Sequence, residues 1–163
     1  MKAMVLHAHG EIGDIEWRED WPDPEPGDGE VLVRVAACAL NYHDLFTLRG
    51  MPGIKVPMPI IMGIDAAGTV AGTGPGVEGW NEGDRVLIDP IDRESGRLFG
   101  EMVNGGLAEY AVVKAHQLVR LPDSVGFEDG AALPCAYGTA YRMMVTRGQV
   151  AEGDPHVPEA HPD

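Results

Sequence analysis

Twenty-two glycines and thirteen prolines break this 163-residue chain often enough to point to a turn-rich barrel or sandwich. The two residues punctuate by different physics: glycine enters positive φ without steric cost, and proline fixes φ and lacks an N–H donor. Between the breaks lie short β-rich runs. Val31-Leu32-Val33-Arg34-Val35 is the clearest strand, dominated by β-branched residues. Lys2–His9 reads as a strand that Gly10–Gly13 turn towards Asp14–Arg18, and Pro22, Pro24 and Pro26 forbid regular structure up to Gly29. Further strands are predicted at Ala66–Ala71, Arg85–Ile88, Ala108–Val113 and Gln117–Arg120, with a stiff loop through Pro52, Pro57 and Pro59 and a polar connection over Asp89–Asn104.

Helical signals are few. A short helix is predicted over Tyr42–Leu48, closed by Gly50. From Phe127, Gly126 serves as N-cap and Glu128 and Asp129 suit the positive end of the helix dipole. Tyr137–Arg147 reads as a second, separate helix ended by Gly148. Many strands followed by two helices give a mainly β (α+β) chain, a partly open barrel with a C-terminal helical exit, and not an alternating βαβ unit.

Composition narrows the partners. The chain is 44% hydrophobic and 23% charged, and it has no apolar run long enough to span a bilayer. Met4-Val5-Leu6 is too short for a signal-peptide core and is followed at once by His7, His9 and Glu11, so a cytoplasmic chain is expected. A net charge of −14 repels nucleic acid and anionic membrane surfaces alike. Two cysteines in such a chain point to a reducing compartment without a disulfide. No internal repeat is present, and Pro155–Asp163 is expected to be a disordered tail.

Five segments, in order and at compatible spacing, carry a family resemblance: "VRVAACALNYHD" (Val33–Asp44), "MGIDAAGTV" (Met62–Val70), "GDRVLI" (Gly83–Ile88), "GGLAEYAVV" (Gly105–Val113) and "LPDSVGFEDGAALPCAYGTAYRMM" (Leu121–Met144). Together they resemble the N-terminal GroES-like catalytic domain of the medium-chain dehydrogenases and quinone oxidoreductases. The resemblance implies one GroES-like domain over residues 1–154, acting on a small-molecule substrate with NADP(H) or NAD(H). Gly105-Gly106 also has a purely physical reading, a place where a Cβ would clash ahead of a strand.

The resemblance also assigns site residues. In the zinc-dependent branch Cys38 and Cys135 match two metal-ligand positions, but the histidine between them is Ile64, with Asp65 beside it. Catalytic zinc needs three protein ligands and one open position, so zinc requires an altered Cys38, Asp65, Cys135 set. The long connection has none of the cysteines of the family's structural zinc lobe. The zinc-independent branch places Asn41 near nicotinamide and substrate, Tyr42 beside it as a hydrogen-bond or proton donor, and Thr139 at a cofactor contact. His43 falls where the zinc branch keeps a proton-relay histidine. Each has a packing alternative: Asn41 can cap the helix at Tyr42, Tyr42 and Thr139 can be surface or packing residues, and a small buried cysteine can be a modest hydrophobe.

A dinucleotide site needs a strand, a glycine-rich turn and a helix. The one G-x-G-x-x-G string, Gly74–Gly79, runs into "WNEGDRV", a turn and a strand, and is read as a loop. After Gly153-Asp154 the sequence turns into Pro155-His156-Val157-Pro158, where the family's nucleotide-binding strand should begin. The expectation is a truncated oxidoreductase domain, inactive alone, with an exposed face that favours homo-oligomers. Two other readings stay open, a zinc alcohol dehydrogenase domain with the Cys-Asp-Cys site and a non-catalytic GroES-like oligomerising or binding module.

Overall fold

Strand β1 (Ala3–Leu6) reverses through a 3-10 turn at Ile12–Asp14 and returns as β2 (Ile15–Arg18), in the computed structural model, which describes residues 1–151 and 154. On its other edge β1 pairs with β4 (Ile60–Ile61), making a three-stranded antiparallel sheet in the order β2-β1-β4. The stiff proline loop thus delivers Ile60 and Ile61 into a sheet, a two-residue strand too short for any sequence period to reveal.

The second sheet has five antiparallel strands in the order β7-β3-β5-β6-β8. They are β3 (Glu30–Ala39), β5 (Asp65–Thr73), β6 (Arg85–Ile88), β7 (Tyr110–Lys114) and β8 (Leu118–Arg120). β3 and β5 are its spine, paired from Val31 with Thr73 to Ala39 with Asp65, with register shifts at Leu32/Val33 and Val35/Ala37. At the second shift the Gly68 Cα sits so close to the Arg34 carbonyl that a Cβ would lie 2.0 Å from its oxygen. Such irregularities bend a strand and tighten its twist, which curls the sheet. The two sheets meet where the Met4 N–H donates to the Leu107 carbonyl at 2.8 Å, beside a bridge between Ala3 and Ala108. The sheets remain open, as the mainly β, partly open barrel predicted from the sequence.

The main core lies on one face of the five-stranded sheet: Val31, Val33, Ala66, Val70, Val86 and Ile88, with Phe99 inserted from the long connection. That connection is more ordered than its polar composition suggests, because Ile91 bridges Leu98 and Phe99 bridges Val103. Gly105 follows it, and a Cβ there would sit 2.4 Å from the Gly63 carbonyl oxygen, the clash expected of Gly105-Gly106. The Gly74–Gly79 string is a loop pinned to the start of β3, with the Gly74 N–H donating to Glu30 O and the Gly29 N–H to Pro75 O.

Helix α1 spans Tyr42–Arg49 and stops at Gly50, whose φ is +80°. The C-terminal helices differ from expectation. α2 (Phe127–Ala132), with Gly126 as its N-cap, continues through a π segment at Leu133–Tyr137 into α3 (Gly138–Tyr141) and a second π segment at Arg142–Arg147. There is one helical run, not two helices. Pro134 has no N–H and the N–H of Cys135 is donated sideways to Asp65, so two rungs of the i→i−4 ladder are missing where the helix widens. The tail predicted over Pro155–Asp163 lies outside the described residues.

Candidate functional site

The antiparallel pairing of β3 with β5 brings the end of one strand beside the start of the other, setting Ala39 opposite Asp65 and Cys38 opposite Ala66. The chain leaves β3 through Leu40 and enters α1 at Asn41, an extended residue (φ −125°, ψ 162°) in the N-cap position. The π segment at Cys135 closes the third side. Four of the residues singled out in the sequence, Cys38, Asn41, Asp65 and Cys135, therefore converge from segments far apart in the chain.

Asp65 is the centre of this cluster. It is 0% exposed, and its carboxylate accepts hydrogen bonds from Asn41 Nδ2 at 2.9 Å and from the Cys135 N–H at 3.0 and 3.1 Å. Burial pushes its carboxyl up to about 6, against the opposing pull of those donors and with the help of nearby Asp44. Burial likewise drives the Cys38 thiol up to about 12, reinforced by the carboxylates of Asp44 and Asp65. Cys135 is shifted the same way by burial, then by Asp65 and Asp44. Both sulfurs are thiols at neutral pH, and neither is in a disulfide.

Asp44 was not singled out in the sequence, yet it holds the site in shape. Its Oδ2 accepts the Asn41 N–H at 2.8 Å, and its Oδ1 accepts the N–H groups of Gly63 and Ile64, each at 3.2 Å. One buried carboxylate thus caps α1 and fixes the loop that leads into β5. The loop must pass close: Gly63 has a φ of +98°, and a Cβ on it would lie 2.7 Å from Cys38 Sγ. Burial pushes the Asp44 carboxyl up as well. The signal was present in the Asn-x-x-Asp spacing of a capping box, Asn41 to Asp44.

Asn41 combines two of its alternatives. Its backbone occupies the cap position while its side chain turns to Asp65. Tyr42 stands 72% exposed, edge-on to Phe46 with ring centroids 5.4 Å apart. His43 points the other way, its Nε2 2.6 Å from Oε2 of Glu101, a buried acid of the long connection. Nothing in the sequence marks Glu101, 58 residues away from its partner. Thr139 lies exposed on α3.

These residues do not fit a catalytic zinc. Both oxygens of Asp65 already accept hydrogen bonds, from Asn41 Nδ2 and from the Cys135 N–H, and the histidine position between Cys38 and Cys135 is the apolar Ile64. Among the described residues, no group of three His, Cys, Asp or Glu side chains could hold a metal ion. Asn41 does fit an amide ligand such as nicotinamide: its Nδ2 is used on Asp65 and its Oδ1 is left as an acceptor. No described helix is long and apolar enough to cross a membrane.

Comparison with known proteins agrees with this architecture. Residues 27–123 match the family model of the alcohol dehydrogenase GroES-like domain. A zinc-type alcohol dehydrogenase-like protein of Schizosaccharomyces pombe is 37% identical over 154 residues, covering 87% of this chain and 44% of that protein. Human quinone oxidoreductase is 30% identical over 154 residues, covering 94% of this chain and 44% of its own length. Among solved structures, an NAD-dependent alcohol dehydrogenase superposes with a TM-score of 0.85 at 37% identity, over 94% of this chain and 49% of that one. A cobalt- and zinc-bound thermostable alcohol dehydrogenase from Pyrobaculum aerophilum gives 0.75 at 32% identity, over 87% and 48%. The chain spans less than half the length of the curated relatives named here. The family match, which covers more than half of its residues, makes this chain a member of the alcohol dehydrogenase GroES-like domain family of the medium-chain dehydrogenase/reductases.

Proposed function

We propose that this chain is the substrate-side domain of a zinc-independent, nicotinamide-dependent oxidoreductase that reduces a polarised double bond or a quinone. The observation that carries this reading is the state of Asp65, whose carboxylate is held by Asn41 and Cys135 beside Ile64, the position where the zinc branch has its histidine ligand. Two of the similar proteins carry names of this kind: human quinone oxidoreductase, and an acryloyl-coenzyme A reductase of Metallosphaera sedula that is 30% identical over 170 residues.

A bound NADP(H) or NAD(H) would supply the hydride. Asn41, oriented by Asp65, would hold the nicotinamide carboxamide through Oδ1, and Thr139 would meet the cofactor from α3. The protein's part is positioning and hydrogen bonding, with His43 exchanging the proton that balances the hydride and exposed Tyr42 at the rim. Neutral thiols at Cys38 and Cys135 suit packing more than nucleophilic work. The two free cysteines support a cytoplasmic setting. Exposed Leu133, Tyr137, Tyr141 and Met143 along the helical exit support self-association.

The reading is tested on the chain itself by calorimetric titration with NADPH and NADH and by cofactor oxidation with a panel of enones and quinones. The expected result is no saturable binding tighter than about 1 mM and no turnover. Micromolar binding would place a dinucleotide site inside this chain and overturn the division of labour.

A further inference from the structure

The long connection between β6 and β7 contributes an acid to which neither the family match nor the resemblance assigns any role. Glu101 is 2% exposed, carried on a tight fold-back in which its own N–H donates to Leu98 O and the Gly100 N–H to Val103 O. A buried carboxylate is costly unless it is paired and hydrogen-bonded. The hydrogen-bond partner of its side chain is the His43 imidazole, with Nε2 2.6 Å from Oε2, a short, direct contact.

The two partners are unequal in exposure. His43 keeps 27% of its side chain in solvent while Glu101 is sealed off. A carboxylate is an acceptor only, so it fixes Nε2 as the N–H nitrogen and leaves Nδ1 as the nitrogen that gives and takes a proton. The Phe46 ring, edge-on to the imidazole at 6.1 Å, braces it from the same helix. The pair is not needed to hold α1 in place, because Asp44 already ties the helix start to Gly63 and Ile64. A pair with only a structural task could be replaced by packed apolar side chains at little cost. A buried acid behind a half-open imidazole is instead the arrangement that sets a histidine's tautomer and steadies its charged form.

We infer that Glu101 is a positioning residue for His43, locking the ring with Nε2 as donor and presenting Nδ1 as the proton-exchanging atom of the site. This rests on the reading of His43 as the group that balances hydride transfer. It adds an acid from a segment outside the matched motifs. No atom other than a proton moves: Nδ1 releases a proton to the reduced substrate and regains one from solvent.

The test is a long-range proton–nitrogen NMR spectrum of the full chain with ¹⁵N-labelled histidine at mildly alkaline pH. His43 is expected as the Nε2–H tautomer with a slowly exchanging Nε2 proton. Glu101→Gln keeps an acceptor oxygen but loses the charge, and should retain the tautomer with exchange several-fold faster. Glu101→Leu removes the acceptor, and exchange should rise at least about tenfold, the equivalent of a hydrogen bond of ordinary net strength. If the leucine variant fails to fold, the glutamine variant alone decides. An Nδ1–H tautomer in the wild type, or unchanged exchange in the folded variants, would overturn the inference. The spectrum needs neither cofactor nor substrate, so its failure would leave the hydride-transfer reading standing. Micromolar cofactor binding by the chain, the result that would overturn that reading, would in turn leave the Glu101–His43 pair standing.

Discussion

The backbone N–H of Cys135 donates to both carboxylate oxygens of Asp65, at 3.1 and 3.0 Å, across 70 residues of chain. One contact thereby anchors the helical exit to the first residue of β5 and widens the helix at the point of attachment. It also turns both oxygens of that carboxylate towards a backbone donor.

Asp65 should make stability fall as pH rises. Burial holds its folded carboxyl up to about 6, against an ordinary value of 3.8. Between those values the folded chain binds more proton than the unfolded one, so this group's stabilising contribution is full below about pH 4 and is lost by about pH 6. The difference of roughly two pH units is on the order of 3 kcal/mol. Asp65→Asn, which keeps one acceptor for Cys135 and lets the Asn41 amide turn over, should flatten that slope. Urea denaturation of both proteins at several pH values checks this. Because Asp44 is shifted in the same direction, the quantity to read is the difference between the two curves. Identical slopes would remove Asp65 as the cause.

Asp44→Ala should destabilise the chain by about 3 kcal/mol, since it strips partners from three N–H groups at once. Asp44→Asn should cost less, because its remaining oxygen can still serve Gly63 and Ile64. A denaturant midpoint for each variant checks the order. If alanine costs no more than asparagine, the cap and the loop are held by something else.

Zinc should be present at well below one equivalent in protein purified without chelator. Ile64→His, which restores an imidazole between Cys38 and Cys135, should raise zinc content measured by elemental analysis. A stoichiometric metal in the unmodified chain would contradict the occupied state of Asp65.

Gly105→Ala should cost about 2 kcal/mol through overpacking, because its Cβ would press on the Gly63 carbonyl that anchors the site loop. Thermal unfolding measures it, and an unchanged midpoint would show that the loop can yield.

The strands were legible because β-branched runs such as Val31–Val35 lie between glycine and proline breaks, but the full length of β3 and its pairing with β5 were not, since both depend on contacts between distant segments. Helix α1 was legible to within one residue, because Gly50 ends it. The continuous exit helix was not. Its π segment depends on an N–H donated to Asp65, a tertiary contact that no local pattern encodes. In the site, Cys38, Asn41, Asp65 and Cys135 came from motif positions and do meet. Asp44 was hidden behind a capping pattern, and Glu101 behind a polar stretch whose burial depends on Phe99 entering the core.

The most direct measurement joins residues 1–151 to the part of the Metallosphaera sedula acryloyl-coenzyme A reductase that this chain does not match and follows deuterium from NADPH labelled at nicotinamide C4 into product. The account predicts deuteride transfer to an enone, an enoyl thioester or a quinone without added zinc, reduced at least about tenfold by Asn41→Ala. A folded, NADPH-binding chimera that transfers no deuterium to any of them, or does so only with zinc, would contradict it.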